Sequence, residues 1–142
     1  MKANAVKLEG LLFVIGFLIL GNVEVWGEGW KDLEQTDEEA VSYDTGSVTR
    51  PSNGNVRVLV RTVFSEKGVD IHVKEFGEGV KNLNHVEDLL EFNCVDKKTR
   101  VLQSTIYAKD GNILASDTSS ELEWRVIIPD SLGETLYNEV CK

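Results

Sequence analysis

The chain has 142 residues, and its 15 Lys plus Arg against 24 Asp plus Glu give a formal charge of −9. At 42% hydrophobic and 27% charged it suits a folded domain, not a disordered or fibrous chain. The acid excess excludes the basic footprint that nucleic acid or an anionic membrane surface requires. Two Cys and two His do not complete a four-ligand metal cluster without carboxylates.

The start of the chain reads as an export leader. Lys2 and Lys7 precede an unbroken apolar run from Leu11 to Leu20, closed by Gly21, Asn22 and Glu24. As a helix this run spans about 15 Å, half of a hydrocarbon core of about 30 Å, which fits a secretory signal and not a membrane span. Val25-Trp26-Gly27 offers the small residues that a signal peptidase needs, so residues 1–27 are expected to be removed. The leader holds no Cys, and attachment through an N-terminal lipidated cysteine is not expected. Residues 28–142 are then one domain, exported to the periplasm or outside the cell. Cys94 and Cys141 both fall in the exported part, where a disulfide persists, and two cysteines permit one intramolecular pairing.

Along the mature chain, turns punctuate short strands. Glu28 to Glu39 is acid-rich around Trp30 and Leu33 and reads as a loosely ordered entry segment. Val41 to Thr49 reads as one or two short strands broken at Gly46. Pro51-Ser52-Asn53-Gly54-Asn55 is a turn, since Asn-Gly tolerates positive φ. Val56, Val58, Val60, Thr62 and Phe64 then alternate with Arg57, Leu59, Arg61 and Val63, which gives a strand with a buried face and a more basic opposite face.

Between Ser65 and Asn84 the apolar residues Val69, Val73, Phe76, Val80 and Leu83 recur at helical spacing. Gly77 and Gly79 weaken a helix by about 1 kcal/mol each, so a short irregular helix is expected. His85 to Val95 is the next strand, with Leu90, Phe92 and Cys94 on one face. Asp96-Lys97-Lys98 turns the chain into an alternating strand over Thr99 to Lys109. Asp110-Gly111-Asn112 is a hairpin signal, Ile113 to Asp117 returns, and Thr118 to Glu121 is a polar loop. Glu123 to Ile128 is a last short strand stopped by Pro129. Ser131-Leu132-Gly133-Glu134 has capping-box spacing and opens a terminal helix with Leu132, Leu136 and Val140 in one row. The fold class is therefore α+β: an antiparallel sheet of five to six strands joined by tight turns, a C-terminal helix packed on it, and one disulfide.

Nothing in the sequence names a reaction. His72 and His85 lack haem-attachment or zinc spacing, although an axial role toward a loosely bound haem is kept open for either. Glu38-Glu39 and the pair Glu121 and Glu123 are expected by chance at this composition. Gly77-Glu78-Gly79 lacks the third glycine of a dinucleotide loop. Arg57 and Arg61 share one strand face and are candidates for contact with an acidic partner.

The C-terminal half carries a family pattern. Glu91-Phe92-Asn93-Cys94, then Arg100, Tyr107, Asp110-Gly111, Trp124, Ile127, Pro129, Ser131 and Cys141 resemble the surface-adhesin protein E family. Trp30 and Tyr43-Asp44 resemble its opening segment, so the match runs from Trp30 to Cys141. The resemblance implies a small exported bacterial domain with an antiparallel sheet, a C-terminal helix and the Cys94–Cys141 bridge. It implies a binding role toward proteins, with haem binding associated, and the missing lipid-attachment cysteine departs from the lipoprotein adhesin pattern. The expectation is a non-catalytic binding module without a resident cofactor, whose partner is another protein, homo-oligomerisation being open. A haem or small-ligand carrier, with a cavity between sheet and helix, and a structural subunit of an envelope complex are the alternatives.

Overall fold

The alternation over Val56–Phe64 decides where the core lies. In the computed structural model, which describes residues 29–51, 53–118 and 123–142, this segment is strand β3. Its odd and even positions face opposite sides, as an extended chain requires. Val56 and Val58 are fully buried and pack with Val41, Tyr43, Phe92, Leu136 and Val140.

The strands are β1 (Trp30–Gln35), β2 (Glu39–Asp44), β3, β4 (Leu83–Asn93), β5 (Lys98–Ala108), β6 (Ile113–Thr118) and β7 (Arg125–Val126). The helices are α1 (Glu66–Phe76) and α2 (Leu132–Val140). The sheet runs β1-β2-β3-β4-β5-β6 in chain order, and β7 pairs with β5 beyond the reach of β6. The β2–β3, β3–β4, β4–β5, β5–β6 and β5–β7 pairings are all antiparallel, so the α+β expectation holds.

Several local expectations need correction. The entry segment is not loose: Trp30–Gln35 is edge strand β1, in which Leu33 is half-buried against the core. Its acidic sequence hides the strand because an edge strand draws order from backbone pairing and buries little. The stripe from Val69 to Leu83 is not one irregular helix. α1 is a regular eleven-residue helix ended by Gly77 at φ 93, and a 3₁₀ turn at Glu78–Val80 leads into β4. Gly77 thus terminates the helix and does not weaken its interior. The β3–β4 connection therefore contains a helix instead of a tight turn, yet the strands stay antiparallel neighbours. The last strand is only two residues long. The leader, Ser52 and most of the polar loop after β6 lie outside the described residues.

Other expectations hold. β2 ends where Asp44 accepts from the Gly46 N–H at 2.9 Å, and Thr49 rejoins β3 as a single bridge to Arg57. Gly54 at φ 85 and Gly111 at φ 90 occupy their turns. At α2, the Ser131 hydroxyl accepts from the Glu134 N–H at 3.2 Å, while the Glu134 carboxylate accepts from the Asp130 N–H at 3.1 Å. The tail is held three ways. Cys141 is bonded to Cys94, the Tyr137 hydroxyl donates to the Cys94 carbonyl at 2.6 Å, and the Tyr43 hydroxyl donates to Glu139 at 3.1 Å.

Candidate binding face

Both helices pack on one face of the sheet. α2 covers Val56, Val58 and Phe92, and α1 brings His72 against Phe64, with ring centroids 4.7 Å apart. Strand parity puts Arg57, Leu59, Arg61 and Val63 on the opposite face, which no helix covers among the described residues.

Register then assembles a site that spacing along the chain does not show. Arg57, Glu91 and Arg100 are direct cross-strand neighbours on β3, β4 and β5. Two steps along the same face, Arg61 and Glu87 pair in the same way, with Thr105 on β5. Between these rows lie Leu59, Leu89 and Gln103, which floor a shallow depression of about 160 Å³ that Tyr107 also lines.

Glu91 is fully buried although it is charged. Its Oε1 accepts from Arg100 Nε at 2.9 Å and Nη2 at 2.7 Å. Its Oε2 accepts from Asn55 at 3.2 Å and Asn53 at 3.4 Å. The Arg100 guanidinium is in turn covered by the Trp124 ring, 4.3 Å from its centroid, an arrangement that favours a cation. Burial pushes the Glu91 pKa up, but hydrogen bonds from Arg100, Asn55 and Asn53 and the Arg100 charge outweigh it. The net shift is downward, and the group stays ionised.

The two arginines singled out in the sequence have different surroundings. Arg61 donates to Glu87 through Nε at 3.2 Å and Nη2 at 3.1 Å. Arg57 has one ionic neighbour, Glu91 Oε2, 3.7 Å from its Nε, and its side chain makes no hydrogen bond among the described residues. That Nε is buried and unsatisfied, whereas the side chain as a whole is 42% exposed.

The histidines do not come together. His72 sits on α1, its Nδ1 2.8 Å from the Gly68 carbonyl, beside Phe64 and Phe76 on the helix side. His85 sits on the other face, stacked on Tyr107 at 4.6 Å, with Nδ1 2.6 Å from Asn84 Oδ1 and Nε2 3.6 Å from Glu87. Burial, with the Arg61 charge, lowers the His85 pKa against the opposing pull of Glu87. A larger cavity of about 740 Å³ lies at the start of α2, lined by Leu90, Phe92, Val101, Arg125 and Gly133, and neither histidine is among its described lining residues.

Glu91, Arg100, Tyr107 and Trp124 enter the sequence reading as motif residues without a role. One signal was available: Arg57 and Arg61 are four apart, and so are Glu87 and Glu91, which is the matching order for antiparallel neighbours. Among the described residues, no three His, Cys, Asp or Glu side chains converge as metal ligands would.

The fold and face define a disulfide-tied, single-sheet α+β domain that shields its helices on one side and offers a polar, ion-paired surface on the other. The model of the surface-adhesin protein E family matches residues 30–142, and the chain belongs to that family. No curated protein and no solved structure matches it. Membership in a family of surface adhesins supports a role in binding at a surface. No helix among the described residues is long and apolar enough to cross a membrane.

Proposed function

We propose that this chain is an exported, non-catalytic binding module that contacts another protein at the bacterial envelope or outside it, through the helix-free face of its sheet. The observation that carries the reading is that uncovered face itself. Leu59 and Leu89 are half-buried there between two rows of ion pairs, Tyr107 lies just beyond the second row, and strand parity puts them on the face opposite the helices. Family membership supports the same role. Residues 1–27 act as the export leader in this reading, and the mature domain is not lipid-anchored.

Photo-crosslinking in the native host tests it. A crosslinking residue at position 89 on the open face is expected to capture one recurrent protein, and the same residue at position 71 on α1 is expected not to. Equal capture from both positions, or none from position 89, overturns the open face as contact surface. A haem absorption band that disappears in His85→Ala would move the function to a carrier instead.

A further inference from the structure

We infer that Arg57 is the anchor of the open face and receives a carboxylate from an aspartate or glutamate of the partner protein. This rests on the reading of that face as the contact surface.

The argument is one of unequal satisfaction. The two ion-pair rows hold three guanidiniums and two carboxylates, in a chain whose total charge is −9. Glu87 is taken up by Arg61 through two hydrogen bonds. Glu91 is taken up by Arg100 at one oxygen and by Asn53 and Asn55 at the other. What remains is one cation without a hydrogen-bonded anion among the described residues. Its Nε is buried beside Glu91, while the side chain as a whole is 42% exposed. The Nη pair of a guanidinium is a fork that fits a carboxylate end-on.

The charge count selects the occupant. The row Arg57–Glu91–Arg100 carries a net charge of +1, which one carboxylate neutralises. A phosphate, with a charge of about −2 near neutral pH, would leave an excess negative charge beside the carboxylates of Glu87 and Glu91. Arg61, the other candidate, already has its anion.

The test uses the full chain and three capped peptides that differ at one central residue: Glu, Gln or phosphoserine. In the unmodified chain, the Arg57 Nε–Hε resonance is expected to shift with the Glu peptide and not with the Gln peptide. Affinity for the Glu peptide is expected to exceed that for the Gln peptide by about fivefold or more. Arg57→Gln should erase the preference, and Arg61→Gln should keep it. Equal binding of Glu and Gln peptides, a preference that survives Arg57→Gln, or stronger binding of phosphoserine each overturns the inference. The wild-type resonance reads the site without any variant, so a folding defect in Arg57→Gln cannot decide the matter. If position 89 still captures a partner while Arg57 shows no carboxylate preference, the inference fails and the binding-module reading stands.

Discussion

Gly68 shows how much a single missing methyl group can matter. It lies inside α1, where a Cβ would come within 2.2 Å of the Glu38 backbone oxygen, so the β1–β2 turn docks on the helix only because that atom is absent. Ser65 caps the same helix and ties it to this turn, since its hydroxyl donates to the Asp37 carbonyl at 2.7 Å and accepts from the Gly68 N–H. Gly68→Ala, a favourable change by helix propensity, is expected to destabilise the domain by about 1–3 kcal/mol through backbone displacement, read as a lower urea midpoint. An unchanged midpoint would show that the turn shifts freely. Acid sensitivity also belongs to single residues. The folded-state pKa of His85 lies below its ordinary value of 6.5, so the unfolded chain binds that proton more readily. Stability is then complete above about pH 6.5 and declines as pH falls through the interval below it. Glu91, also depressed, adds a second loss at lower pH, starting near its ordinary value of 4.5. Thermal melts from pH 7.5 to 5.5 should show the first decline, and His85→Gln should flatten it. A wild-type melting point that is level across that range would contradict the assignment.

Elements were legible in the sequence to the degree that burial patterned them. β3 alternates because one face is core, and α2 repeats Leu132, Leu136 and Val140 because that row is buried or half-buried against the sheet. β1 was missed for the opposite reason: four of its six residues are exposed, so polarity masks an edge strand. The helix in the β3–β4 connection was blurred because Val80 and Leu83 extend its apolar period past Gly77, where the backbone has already turned to positive φ. The open face was harder still, since cross-strand neighbours depend on register. A shift between Leu89 and Leu90 is what sets Arg100, and not its neighbour, opposite Glu91. Hairpin chemistry was the reliable signal. Gly111 sits at φ 90, its N–H donates to the Ala108 carbonyl at 3.0 Å, and β6 hangs from that turn at the sheet edge. Gly111→Val should cost about 1–2 kcal/mol, since a β-branched residue resists positive φ. Hydrogen exchange should localise the loss to β6 and the end of β5, and protection equal to wild type in β6 would contradict the turn's role.

At the scale of the whole molecule, the same face-by-face division that leaves one surface open makes the other depend on its tail. α2 supplies Leu136 and Val140 to the core, yet it is nine residues long. Helices of that length do not persist alone in water. The Cys94–Cys141 bond closes a loop of 47 residues and joins the end of α2 to the turn that directly follows the strand carrying Phe92 and Glu91. One covalent link thus holds the core lid on one face and steadies the strand that bears the ion-pair rows on the other. In the chain-entropy account, a loop of this length contributes about 4 kcal/mol. For a domain of this size, that corresponds to a fall in melting temperature of about 15 °C. Cys141→Ser is therefore expected to melt about that much lower while keeping its far-ultraviolet β signature at 20 °C, because the ladder from β2 to β6 does not require α2 for its hydrogen bonds. Reduction of the wild-type chain should reproduce the same shift. If the reduced and oxidised chains melt together, the tail is held by Tyr137, Leu136 and Val140 alone, and the bond has no part in keeping the domain closed.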